Sequence, residues 1–218
     1  MDIIDYSQLF RDGLEIPSTG GNATLKCHDV GELVAPSGKI VACDPIVFPE
    51  KAPFSVHLPA GRYPVILNVA HFGDRDQRVA YAAMKIGDGK PHSWEMALLP
   101  DQNITDLEED HIFCYPVDSG NGCFMDIAAA QSLSKKMDAD DAYFEMLIAE
   151  MDKTYVDTWS WANIEMDPLT NANLIMFSSG LGDGCYASYF ALDEERRPLF
   201  LVTDFGVFDD EEVARLLS

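Results

Sequence analysis

The residues whose types and spacing could do chemistry are carboxylates set in glycine-rich turns. Asp118-Ser-Gly-Asn-Gly-Cys-Phe-Met-Asp126 and Gly180-Leu-Gly-Asp-Gly-Cys-Tyr186 each pack glycine and aspartate against small or aromatic residues. Such runs admit positive φ and aim carboxyls at a common point. Asp44, held extended before Pro45, and Asp204, at the end of an apolar run, extend the set. The candidate binding residues are therefore Asp44, Asp118, Asp126, Asp183, Tyr186 and Asp204. Oxygen donors of this kind suit a hard cation, Ca²⁺ or Mg²⁺, and a bound cation can activate water.

Each of these positions also has an ordinary structural reading. Asp44 can close an Asx turn at a strand end, Asp126 can cap a helix that begins at Ile127, and Asp183-Gly184 suits a hairpin turn. The 118–126 spacing lacks the ligand ladder and final Glu of an EF-hand. No metal ligand is assigned, and no cofactor is expected; Ca²⁺ or Mg²⁺ on the loop aspartates is the alternative. Other chemistries lack a signature: there is no dinucleotide or phosphate loop and no G-x-S-x-G elbow. His28, His57, His71, His92 and His111 show neither i, i+4 pairing nor zinc-type spacing with cysteine. The catalytic residues are thus unassigned.

Bulk composition narrows the partner class. The formal charge is −22, from 37 acidic and 15 basic residues. Such a chain repels nucleic-acid phosphates and anionic membrane surfaces. It suits a basic protein partner, or simple solubility. The acids cluster at Glu108-Glu109-Asp110, at Asp138 with Asp140-Asp141, at Asp193–Glu195 and at Asp209–Glu212. The five cysteines include no C-x-x-C, and MDIIDYSQLF carries no secretory signal. No run is long enough to span a membrane. The expectation is a cytoplasmic protein with free thiols.

The elements that must position these residues are mostly short strands. The pattern predicts strands at 30–34, 39–43, 54–58, 63–69, 78–86, 94–99, 172–177, 185–192 and 198–205. Gly87–Pro91 reads as a hairpin loop between two of them, and Asp193–Arg197 as a turn between the last two. Tyr186 and Tyr189 fall on opposite strand faces. Helical spacing appears from Asp126 to Met137. A second helix, capped by Asp138, buries Phe144, Leu147, Ile148 and Met151 on one face. Asp209–Leu217 reads as a terminal helix with its acids first. Hydrophobic residues make up 47% of the chain, enough for a substantial core. Trp94, Trp159 and Trp161 are expected in that core, with Trp159-Ser-Trp161 as an alternative surface patch. The fold expected is mainly β (α+β). It is a β-sandwich-like single domain over 1–218, with a helical insertion around residues 126–155 and a short C-terminal helix.

Several motifs occur together in order. They are Ser37-Gly-Lys-Ile with Ala42-Cys-Asp-Pro45, Gly61-Arg-Tyr-Pro-Val65, Arg78-Val-Ala-Tyr81, Asp118-x-Gly120 through Cys123-Phe124 to Asp126, Gly182-Asp-Gly184 with Tyr186, and Asp204-Phe205. From Leu33 to Phe205 the chain resembles the bacterial domain-of-unknown-function family numbered 4241. The resemblance implies a bacterial, intracellular protein and carries no reaction with it. The functional expectation is a non-enzymatic acidic binding protein. An immunity- or antitoxin-like protein that neutralises a basic toxin fits that description, with no nucleic-acid or membrane partner. The alternative is a divalent-metal-dependent enzyme or small-ligand binder using the loop aspartates.

Overall fold

The computed structural model describes residues 4–18, 21–108 and 111–217. Glu109 and Asp110 of one acidic cluster, Thr19 and Gly20 of the 17–22 turn, and residues 1–3 lie outside the described residues. The strands begin with β1 (Glu15–Ile16), β2 (Ala23–Ala35), β3 (Ile40–Cys43), β4 (Gly61–His71), β5 (Gln77–Lys85) and β6 (Ser93–Met96). Then β7 (Tyr115–Val117) and β8 (Asn121–Asp126) lead into α1 (Ile127–Ala139) and α2 (Tyr143–Asp152). They are followed by β9 (Trp161–Asp167), β10 (Ala172–Ser178), β11 (Gly184–Tyr186), β12 (Ser188–Leu192), β13 (Pro198–Asp204) and α3 (Asp210–Leu217).

A seven-stranded sheet, ordered β1-β2-β4-β5-β13-β12-β6, packs on a four-stranded sheet, β3-β8-β10-β9, with β7 and β11 forming a separate two-stranded ribbon. Leu33, Val65 and Leu67 from the larger sheet meet Phe124, Ile175 and Phe177 from the smaller in one sandwich core. The reverse side of the smaller sheet, with Val41, Met125 and Leu174, is covered by Ala130 and Leu133 of α1 and Leu147 and Met151 of α2. The outer side of the larger sheet, with Leu25, Tyr81 and Val202, is covered by Tyr6, Leu9 and, from α3, Val213. The protein is a mainly β sandwich with a helical layer and a terminal helix. No helix among the described residues is long and apolar enough to cross a membrane.

A seam joins the two sheets. β2 bulges between Asp29 and Glu32, where Gly31 takes φ +96°. The positive φ calls for glycine at position 31, where a Cβ would stand 2.8 Å from the end of the Asn163 side chain and would have to displace it. Past the bulge, Asn173 of β10 acts as a surrogate strand residue: its Nδ2 donates to Glu32 O at 2.9 Å and its Oδ1 accepts from Val34 N at 2.7 Å.

Several expectations need correction. Residues 54–58 alternate like a strand but make only the Lys39–His57 bridge, because their N–H groups go to separate acceptors at Ile40, Leu98 and Gly38. The glycine-rich Asn121–Asp126 is a strand, buried along its whole length between sandwich and helices. Gly87–Pro91 closes no hairpin, since β5 lies between β4 and β13 while β6 pairs with β12. Asp138 lies inside α1, and α2 starts at Tyr143 after Ala142, which gives no side-chain cap. Trp94 and Trp159 are buried, and Trp161 packs partly buried against the sandwich core.

Candidate functional site

The structure brings some of the candidate residues together and separates others. The turn after β3 places Asp44 against the start of the 118–120 loop. Asp44 is fully buried. Its Oδ1 accepts from Ile46 N (2.9 Å), Val47 N (3.1 Å) and Ser119 Oγ (2.8 Å). Its Oδ2 accepts from Asp118 N (3.0 Å) and Ser119 N (2.8 Å). The 179–183 loop lies alongside, with Ser179 N donating to Gly120 O at 3.0 Å. Gly120 and Gly182 both take positive φ there. Tyr186 packs edge-on to Phe205, ring centres 5.0 Å apart, and donates its hydroxyl to Gly182 O at 2.7 Å. Burial raises its phenol above the ordinary value. Asp44, Asp118, Asp183 and Tyr186 thus share one loop cluster.

The cluster is a clasp built from backbone donors. Both oxygens of Asp44 are committed to it, and the Asp118 and Asp183 side chains are exposed. Among the described residues no group of three or more His, Cys, Asp or Glu is placed to hold a metal ion. Asp126 lies away from this cluster, at the far end of β8. It is fully buried and caps α1 by accepting from Ala128 N at 2.9 Å, while Ser37 N (3.0 Å) and Ser37 Oγ (2.8 Å) bind it from the other side.

Asp204, at the end of β13, belongs to a third place. Tyr6 donates to its Oδ2 at 3.1 Å and Gly206 N to its Oδ1 at 2.8 Å. The Tyr6 ring packs against Tyr81, Trp94 and Tyr189 at 5.8, 5.2 and 5.3 Å. Burial under these rings, with Asp210 nearby, pushes the Asp204 carboxyl from 3.8 up to about 7. Between those values the folded chain keeps a proton that the unfolded chain has released. Stability therefore falls as pH rises through the window and levels off above it. Asp204 keeps some solvent contact, so the expected cost at pH 8 is about 3 kcal/mol, below the full linkage value. Asp204→Asn copies the protonated acid. It is expected to match the parent at pH 4 and exceed it by that amount at pH 8 in urea melts. Equal stability at both pH values would refute this.

The thiols also depart from expectation. Cys114 and Cys185 are joined by a disulfide, brought together by the β7–β11 ribbon in which Cys185 faces Pro116. Cys27, Cys43 and Cys123 are free. Cys43 and Cys123 are register partners with sulfurs 3.7 Å apart. The contact with Cys123 and deep burial raise the Cys43 thiol well above its ordinary value. Burial and Asp12 push Cys27 to about 11. Cys27 and Cys43 stay protonated and do not serve as nucleophiles at neutral pH.

Sequence reasoning missed the outer side of α2. Leu147 and Met151 are buried as expected, but Phe144 is 42% and Ile148 37% exposed. Tyr155 and Val156, in the turn beyond, are 59% and 48% exposed. Asp138, Asp140, Asp141, Glu145 and Asp152 lie exposed in the same stretch. The signal was present in Tyr143-Phe-Glu-Met-Leu-Ile148, which holds more apolar residues than one helix face can bury. By contrast, the Asp193–Glu195 cluster is neutralised locally, with Arg197 on Asp193 and Glu195 and Arg196 on Glu95.

Comparison with curated proteins and with solved structures finds no match for this chain. One family model matches residues 33–203, which span the sandwich, the clasp and both insertion helices. The chain belongs to that family, the proteins of unknown function DUF4241.

Proposed function

We propose that this is a non-enzymatic acidic binding protein that grips a basic protein through α2, as an immunity or antitoxin protein grips a toxin. The carrying observation is the exposed apolar line of Phe144, Ile148, Tyr155 and Val156 set among acids. Exposed apolar residues are ordinary when single, but a contiguous rimmed group marks an interaction surface. Among the described residues, the only ion pair in this stretch joins Lys153 to Glu150, so most of its acids are unpaired. An apolar centre supplies affinity, and a like-signed rim supplies steering and salt sensitivity. The cytoplasmic setting expected from sequence has the Cys114–Cys185 bridge against it, since such bridges persist in oxidising compartments.

The test is capture of partners from the native cell at low and high salt, with the parent and a Phe144→Ser, Ile148→Ser double variant. One basic protein in near-stoichiometric amount, released by salt and lost with the double variant, is the expected result. Loss of two apolar anchors corresponds to about a hundredfold weaker binding. No basic partner at low salt, or equal capture by the variant, would overturn the reading.

A further inference from the structure

A second surface has the opposite electrical character. A groove of about 460 Å³ runs between the 49–52 loop and one flank of α1. Ile127, Ala130 and Ala52 give it an apolar floor. Lys51 comes from the loop wall, and Lys135 and Gln131 come from the helix wall. Neither lysine is in an ion pair among the described residues. Lys51 Nζ is instead steadied over the Phe48 ring, 5.2 Å from its centre. Asp167, the acid that feels Lys135, already accepts from Leu169 N and Thr170 Oγ1. The groove's own acid, Glu50, is tied to Ser134 Oγ at 2.9 Å.

We infer that this groove binds a small organic anion, with its carboxylate or phosphate group between Lys51 and Lys135 and its apolar body on the Ile127–Ala130 floor. The volume is that of a small-molecule site. The lysines supply charge-assisted hydrogen bonds, which are about twice as strong as neutral ones. The net charge of −22 opposes anions, so binding here is local recognition and not general attraction. This site does not depend on the α2 surface and survives if that reading fails.

The experiment follows amide resonances of the full chain during titration with phenyl phosphate, benzoate, inorganic phosphate and benzylammonium. Phenyl phosphate or benzoate is expected to move Ala130 and Gln131 with a Kd near 1 mM or tighter, about 4 kcal/mol of binding. Whichever of the two binds more tightly names the anionic group. Lys51→Gln and Lys135→Gln are each expected to weaken binding about tenfold, the loss of one charged hydrogen bond. Lys135 is exposed and Lys51 half-buried, and neither is in an ion pair among the described residues, so these variants are expected to melt with the parent, and Lys51→Arg is expected to retain binding. Three results would overturn the inference: equal binding of benzylammonium, binding of inorganic phosphate as tight as phenyl phosphate, or shifts unchanged in both Gln variants. Absence of any shift by about 10 mM, where even a weak fragment registers, would do the same.

Discussion

Asp44→Ala is expected to lower stability by about 5 kcal/mol, at the severe end for a single substitution. The side chain satisfies the backbone N–H groups of Ile46, Val47, Asp118 and Ser119 together with the Ser119 hydroxyl. Each buried donor left without an acceptor costs about 1–3 kcal/mol, partly relieved where the loop opens to water. Asp44→Asn is no rescue, because its amide NH₂ would face N–H donors. Asp118→Ala, at the exposed side chain beside the clasp, is expected to cost under about 0.5 kcal/mol. Denaturant melts of the three variants check this. A loss below about 1 kcal/mol for Asp44→Ala would show that the clasp carries little stability and would return Asp44 to the pool of functional carboxylates.

Removing the Cys114–Cys185 bridge is expected to cost about 4 kcal/mol by loop-closure entropy across 71 residues. For a chain of this size that is a melting shift of about 10 °C. Cys185 is exposed, so a reductant reaches the bridge without unfolding the sandwich. The Cys114→Ala, Cys185→Ala double variant and the reduced parent are expected to melt together. An unchanged midpoint in both would refute the prediction. Alkylation without reductant provides an independent count: unfolded parent is expected to label at Cys27, Cys43 and Cys123 only.

Local physics made part of this legible. Asp126 reads as a helix cap because an acid stands directly before a helix-periodic run, and it accepts from Ala128 N as a cap should. Asp44 reads as a turn-closing carboxyl, yet its hold on Asp118 and Ser119 crosses 74 and 75 residues and has no local trace. Residues 185–192 read as one strand, yet the chain breaks at Ala187 into β11 of the ribbon and β12 of the larger sheet, so Tyr186 and Tyr189 reach different cores because they lie in different sheets and not through strand period. Asp193–Arg197 reads as the turn that indeed joins β12 to β13.

The failures share a cause. β8 is buried on both sides, so it shows no alternation, and its opening Asn-Gly imitates a loop. Phe144 and Ile148 were assigned to the core because periodicity gives a stripe and not its width. The disulfide joins Cys114, just before β7, to Cys185 in β11, a connectivity that spacing cannot give. The lysine groove depends on a loop and a helix more than 70 residues apart meeting at one surface, which only the tertiary fold decides.

The amide seam gives the sandwich a distinct way of opening. Val34 N–H of β2 is held by a side chain from the facing sheet and not by a neighbouring strand. Its solvent exchange therefore tracks the parting of two layers whose ladders stay intact.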